Sequence, residues 1–323
     1  MQKKLILFLV LLLFGCKFLP KSEGKMNQVM VFVSPEDKIL VEPIIDELFS
    51  DVIHTPQSEK IFTYRWVNPW ELDEYKLRTN LLVISLQHPI DSTGDRLFHR
   101  FTKASSADHH TIAKTDIFAN GQLFLGLSGY DAIDFEIQTK ANKEWIINQL
   151  KTNYDANLSE YVFSKKKNPK LSQLIDERFG FTIELQRDFK LIKDDNLHQF
   201  LWIGRGVPYR WLIFHKLSDD FSTSEKSWNA VEKIFAKTLP DIEISQEFRS
   251  HEDIEIADEV VKMIRGLYTH DESQTGGPFF TMIIPEENSN NTILLSGFVN
   301  NPGQPKMQLI KQLEVIAKTF SFN

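Results

Sequence analysis

Among residue types that do chemistry, Asp108-His109-His110, with His99 and Asp116 close in sequence, is the group best suited to hold a metal ion. Its spacing argues against that use. Adjacent histidines point to opposite sides of a strand and about 100° apart on a helix, so they converge on one ion only if a loop turns them together. No His-Glu-x-x-His pattern occurs, and a solvated polar loop is the simpler reading. His251-Glu-Asp253 and His270-Asp-Glu272 are acid-flanked histidines of the kind found in exposed turns. Asp194-Asp195 and Asp219-Asp220 are chain neighbours, whereas a glycosidase needs two acids that converge from different segments. There is no Gly-x-Ser-x-Gly elbow, which removes the common serine-hydrolase framework. Gly204-Arg-Gly206 completes neither phosphate-loop pattern. No catalytic residue, metal ligand or cofactor is therefore assigned.

Cys16 is different, because its neighbours specify its chemistry. Met1-Gln2-Lys3-Lys4 is a short basic start, Leu5 to Phe14 is an unbroken apolar run, and Gly15-Cys16 follows at once. The run is too short to cross a bilayer core, which takes about 20 helical residues, and it fits the apolar region of a secretory signal. Leu13-Phe14-Gly15-Cys16 resembles the bacterial lipobox, which implies cleavage between Gly15 and Cys16 and acylation of the cysteine with palmitate-type chains. Several chains on one residue anchor a protein stably without a transmembrane helix. The alternative is an ordinary secretory signal with an incidental cysteine. Lys17, not Asp, follows the cysteine; by analogy with enteric sorting this points to the outer membrane, facing the periplasm. The chain has no other cysteine, so an internal disulfide framework and a multi-cysteine zinc site are excluded. A formal net charge of −7 lacks the basic footprint of a nucleic-acid binder.

The elements that must position any site are legible in outline. The chain has 323 residues, 42% of them apolar and 25% charged, a globular composition and a length sufficient for two domains. Residues 1–15 read as the signal peptide, 16–26 as the lipidated tether, 27–168 as an α/β-like domain and 169–323 as an α+β domain. In the first, Asn27 to Val33 and Ile61 to Val67 are predicted strands and Pro35 to Ser50 a helix. Asn80 to Leu86 is a continuous apolar run, the mark of a strand buried on both faces. A β-like element is predicted around Gly121, and one long helix from Asp131 to Phe163. Ser164-Lys-Lys-Lys-Asn-Pro-Lys170 is read as the boundary, with Asn168-Pro169 stopping the helix. Beyond it, Phe179 to Leu185 alternates as a strand would, and further strands are predicted at Phe189–Ile192, Phe200–Ile203, Tyr209–Lys216, Phe279–Pro285 and Thr292–Phe298. Helices are predicted at Ser224–Thr238 and Lys306–Phe320. The fold class is α+β: two antiparallel or mixed sheets with helices packed on them. The element order of the second half loosely resembles the PsbP/Mog1-like fold.

Arg265-Gly-Leu-Tyr268 followed by Gly276-Gly-Pro-Phe279 is the most distinctive pattern in the chain. With Asn80-Leu-Leu-Val, Ala119-Asn-Gly-Gln122 and the Gln312-Leu-Glu314 helix, it resembles an uncharacterised bacterial lipoprotein family, a domain of unknown function numbered 4837, from about residue 25 to the end. That family carries Trp where this chain has Tyr268. The resemblance implies an envelope location and no reaction. Arg265 could take a carboxylate or phosphate as a bidentate fork, or pair with an acid of the chain such as Glu259 or Asp271. Gly276-Gly277 before Pro278 permits a turn with positive φ and close backbone approach. Arg265, Tyr268, Gly276 and Gly277 are thus the candidate binding residues. Aromatics are abundant (25 Phe, 7 Tyr, 6 Trp), and Trp66, Trp70, Trp202 and Trp211 could each turn part of a ring toward a groove.

These readings favour a non-enzymatic binding or scaffold module, anchored to the membrane by its lipid, with an envelope protein or ligand as partner. An envelope-polymer hydrolase and a carrier of hydrophobic ligands are the alternatives.

Overall fold

The computed structural model describes residues 19–88, 92–102, 110–256, 259–270, 274–286 and 289–322; Gly15 and Cys16 lie outside them. The chain divides into two compact units, one of residues up to Ser50 with Phe62–Tyr154, the other of Asp51–Ile61 with Asp155–Asn323. Among the described residues no helix is long and apolar enough to cross a membrane.

In chain order the strands of the first part are β1 (Gln28–Phe32), β2 (Val52–Thr55), β3 (Gln57–Lys60), β4 (Thr63–Val67), β5 (Asn80–Leu86), β6 (Thr111–Thr115) and β7 (Leu123–Gly129). The helices are α1 (Pro35–Leu48), α2 (Ser92–Thr102), α3 (Ala132–Ala141) and α4 (Lys143–Phe163). The first unit is a mixed sheet in the order β4-β1-β5-β7-β6, parallel except for β6 against β7. All seven residues of β5 are buried, as the apolar run predicts. Ser34 caps α1 by accepting from the Asp37 N–H, and Pro35 stands at the first turn, where its missing N–H costs nothing. The single helix predicted over 131–163 is two helices parted at Asn142, whose N–H and side chain both bond back to Gln138.

The second unit comprises α5 (Pro169–Phe179), β8 (Phe181–Thr182), β9 (Lys190–Asp195), β10 (Phe200–Arg205), β11 (Tyr209–Leu217), α6 (Ser224–Thr238), β12 (Ile242–Ile244), β13 (Ser250–Ile256), β14 (Glu259–His270), β15 (Thr275–Pro285), β16 (Thr292–Asn300), α7 (Met307–Ala317) and β17 (Ser321–Phe322). Its main sheet runs β12-β14-β15-β16-β11-β10-β9, with β13 also pairing β14, and every pair in it is antiparallel. The α+β class is what the structure shows. Two local expectations fail. Asn168-Pro169 starts α5 instead of ending a helix: Asn168 accepts from the Leu171 N–H and Pro169 takes the first position. Phe179 closes that helix ahead of Gly180 at φ 78°, so only Phe181–Thr182 of the predicted strand pairs, with Ser321–Phe322.

Helix α6 covers one face of the main sheet: Trp228, Val231 and Phe235 pack on Ile213, Ile264, Phe279, Leu294 and Phe298. Alternation sends Phe214 to the opposite face, where it meets Phe179 and Phe181. The hairpin β2–β3 belongs to this unit although it lies between β1 and β4 in the chain. Glu59 accepts from the N–H groups of Lys306 (2.7 Å) and Met307 (3.1 Å), capping α7 with a negative charge where the helix dipole favours one.

His215 is wholly buried beneath α6. Thr238 Oγ1 donates to the Ile234 carbonyl and lies 3.0 Å from His215 Nε2. Nε2 therefore carries the proton, and Nδ1 has no partner among the described residues. Burial lowers its pKa to about 3 from 6.5. The folded state holds this ring neutral while the unfolded chain protonates it, so its contribution is complete above pH 6.5 and is lost as pH falls toward 3. Chemical unfolding at a series of pH values should show stability falling by up to about 1.4 kcal/mol per pH unit in that window. His215→Gln should flatten the profile there, and an unchanged slope in that variant would show that His215 is not its source.

Candidate functional site

The α7 side of the main sheet carries a cavity of about 380 Å³. Its walls come from β2 (Val52, Ile53, His54), the loop before β13 (Phe248, Arg249), β14 and β15 (Arg265, Gly266, Pro278, Phe279) and α7 (Ile310, Glu314). Most of that lining is apolar. Arg265, singled out in the sequence, forms part of the floor.

The charges on that floor are already engaged with one another. Arg265 Nε lies 2.8 Å from Glu314 and its Nη1 2.7 Å from Glu252, while Lys311 reaches the other oxygen of Glu314 at 2.8 Å. The Glu314 side chain is only 4% exposed. Burial alone would raise its pKa, but Lys311 and Arg265 together bring it down to about 2. Burial likewise works against the Arg265 charge, and Glu314 with Glu252 more than offset it, holding the guanidinium above its ordinary value. The acids that hold Arg265 are thus Glu252 and Glu314. The side chains of Glu259 and Asp271 lie outside what the structure describes.

Tyr268 is fully buried and its hydroxyl donates to the Val299 carbonyl at 3.1 Å; burial raises its pKa. It is not among the cavity-lining residues. Gly276 and Gly277 do not form a positive-φ turn: both lie within β15, opposite Thr269 and Tyr268. Close approach is what requires them, because a Cβ on Gly277 would clash with the Val299 carbonyl oxygen and one on Gly276 with that of Tyr268. The pattern is therefore a cross-strand device in which Tyr268 covers Gly277. Only Arg265 of the four reaches the cavity.

Sequence reasoning missed the mouth of the cavity. Phe248 is 48% exposed and stacks on His54 with ring centroids 4.1 Å apart. Its backbone sits at φ 57°, an outlying conformation for a bulky residue, of the kind that concentrates at binding sites. The loop is held by Arg249, which pairs with Glu232 and lies 4.5 Å from the Trp228 ring centroid. Nothing in the one-dimensional sequence links residue 54 to residue 248. Of the four tryptophans, Trp202 and Trp211 pack edge to face at 5.8 Å. Trp66 donates to Glu42, and Trp70 is 64% exposed. Asp108 and His109 lie outside the described residues; His110 and His99 pair with Asp134 and Asp95. Among the described residues no group of three or more His, Cys, Asp or Glu could hold a metal ion.

Comparison with known proteins divides the chain much as the fold does. Residues 22–162 match the family model of a domain of unknown function, DUF8532, and residues 168–319 that of a second, DUF4837. No curated protein matches the chain significantly. Solved structures similar to it include the Ran-binding protein Mog1p of Saccharomyces cerevisiae, at 12% identity and a TM-score of 0.32, covering 44% of this chain and 89% of that one. They also include LpqN of Mycobacterium tuberculosis, described as involved in cell envelope biogenesis, at 14% identity and a TM-score of 0.28, covering 44% and 82%. At these scores neither transfers a site or a partner to this chain. The Arg265–Tyr268 and Gly276–Phe279 strands and the Gln312–Glu314 helix all fall within the DUF4837 match, whereas Asn80–Val83 and Ala119–Gln122 fall within the DUF8532 match, so the similarity to DUF4837 covers residues 168–319 and not the whole chain.

Proposed function

We propose that this chain is a lipoprotein of the cell envelope, tethered through Cys16, whose second unit is a non-enzymatic binding module for an apolar segment of a partner polypeptide. The cavity beside Arg265 carries the reading: its walls are apolar, and the charged groups on its floor are committed to each other. A fixed ion-pair floor supplies shape without a free acid or base. Strand β13 supports a polypeptide partner. Among the described strands it pairs only with β14, so its outer edge offers N–H and C=O groups that an added strand can take. Ser250, its first residue, lines the cavity.

A photoreactive benzoyl-phenylalanine placed at Phe248 of the full chain, in its own host, tests this. A reproducible protein adduct is expected. Val52→Trp, which fills the mouth from β2, should reduce its yield about tenfold, the effect of roughly 1.4 kcal/mol of lost binding. Adducts to lipid alone would replace this reading with a hydrophobic-ligand carrier, and adducts indifferent to Val52→Trp would end it. In the same cells Cys16→Ala should abolish acyl labelling; a still-labelled variant would remove the tether.

A further inference from the structure

The second unit gathers cations that the sequence leaves unconnected. Arg205 ends β10, and Arg210 stands directly opposite it on β11, so two guanidiniums share one face of the sheet, an arrangement that costs stability by itself. Only Arg205 has an acid: Asp188 lies 2.5 Å from its Nη2, and the Gln186 side-chain oxygen accepts from its Nη1. Arg210 is 8% exposed. Its Nη1 donates to Gln312 on α7, and among the described residues its Nε has no partner and no carboxylate forms an ion pair with it. Burial, and then neighbouring Arg205, lower its pKa to about 10, so it remains charged at neutral pH.

Both arginines line a second cavity of about 380 Å³, with Lys165, Lys166 and Arg187 on its walls and Asp188 as the one acid. The walls are fixed. The Arg187 N–H donates to the Lys166 carbonyl (2.7 Å), and Gln186 Nε2 donates to the Val162 carbonyl (2.9 Å). The lysine run after α4 is thereby held against the turn that carries Arg187. Five cations face one carboxylate in a chain whose net charge is −7. Asp188 also pulls on Arg210 but is ion-paired with Arg205, so the buried Arg210 guanidinium is under-compensated, which is expensive and which an added anion would relieve.

We propose that this cavity binds a phosphomonoester. The group's oxygens take the free Nε–H of Arg210, and the flanking lysines and Arg187 complete its neutralisation. A dianion suits the excess of four positive charges better than a single carboxylate does. A small phosphorylated metabolite and the headgroup of an anionic lipid share this chemistry.

The test uses the full acylated chain in dodecyl maltoside micelles, with glycerol 3-phosphate followed by calorimetry and thermal unfolding at ionic strength matched with sodium chloride. Saturable binding and a raised Tm are expected. Arg210→Met should weaken binding about ten- to hundredfold, the loss of a charged hydrogen bond. It should also raise the Tm of the ligand-free protein, because an unpaired buried charge is removed; a purely structural Arg210 would move that Tm down. Lys166→Ala, at an exposed position, should weaken binding severalfold with Tm unchanged. Saturation by glycerol 3-phosphate identifies a small-molecule source, and saturation only by phosphatidic acid in mixed micelles identifies a lipid headgroup. No binding of either probe at millimolar concentration overturns the proposal. So does an equal response to sulfate, or an Arg210→Met protein that binds as the parent does.

Discussion

Replacing Glu314 by alanine should cost about 3–5 kcal/mol of stability, the penalty for stripping one partner from a buried ion pair. Its carboxylate is 4% exposed and receives both Arg265 and Lys311. Removing it strands a guanidinium that is 21% exposed beneath the apolar cavity, with Glu252 as its remaining acid. Lys311 sits closer to solvent and can turn outward, so most of the cost falls on Arg265. Glu314→Gln keeps the shape but not the charge and should recover only part of the loss. The pair Arg265→Met with Glu314→Leu should recover most of it, since apolar replacement of both partners spares the desolvation of either. The folded pKa of Glu314 is about 2 against an ordinary 4.5. Its contribution is therefore complete above pH 4.5 and lost as pH falls toward 2, a window that overlaps the lower part of the one in which His215 acts. Urea unfolding of the parent and the three variants at pH 7, 4.5 and 2.5 checks this. A loss under about 1 kcal/mol for Glu314→Ala would place the network in the class of solvent-screened surface pairs.

How far the sequence reached depends on whether an element announces itself locally. Strand β5 is apolar at nearly every position, and α6 has its apolar residues at helical spacing, so both could be placed from pattern alone. Strand β9 was placed only at its start, by the Phe189–Ile192 run, and β13 not at all: five of the six residues in β9 are exposed, as are five of the seven in β13. An edge strand with solvent on both sides has no buried face to impose alternation. Helix α5 was hidden because Asn-Pro signals a stop and a start equally well, and only the Asn168 cap decides between them. The site suffered more. Arg265 and the Gln312-Leu-Glu314 helix stood out separately, but not the fact that Glu314 holds Arg265 while Gln312 holds Arg210. Those pairings span 49 and 102 residues, and one helix supplies both because α7 lies over the sheet. The His54–Phe248 mouth depends on a hairpin inserted 194 positions earlier in the chain, which no local pattern records.

Gly277→Ala should be about as damaging as the loss of Glu314, for a steric reason. Gly277 is buried in β15 opposite Tyr268, and a methyl group there would clash with the Val299 carbonyl oxygen. That oxygen accepts the Tyr268 hydroxyl at 3.1 Å, while the Tyr268 ring approaches the Gly277 Cβ direction at 3.5 Å. Backbone lies on one side and an aromatic ring on the other, so no flexible side chain can give way and β15 must part from its neighbours. A cost of about 3 kcal/mol or somewhat more is expected, at or just above the top of the usual range for overpacking in a core. Tyr268→Phe removes only the hydroxyl and should cost about 1 kcal/mol, one buried hydrogen bond. This contrast separates two roles for the most distinctive pattern in the chain. If Tyr268 and Gly277 met a ligand, both variants would fold normally and lose binding together. In the cross-strand role, Gly277→Ala lowers the Tm steeply, Tyr268→Phe lowers it slightly, and the Tyr268→Phe protein still forms the Phe248 photo-adduct at the parent yield. A Gly277→Ala protein with the parent Tm would mean that β15 does not approach Val299 as closely as the sheet requires.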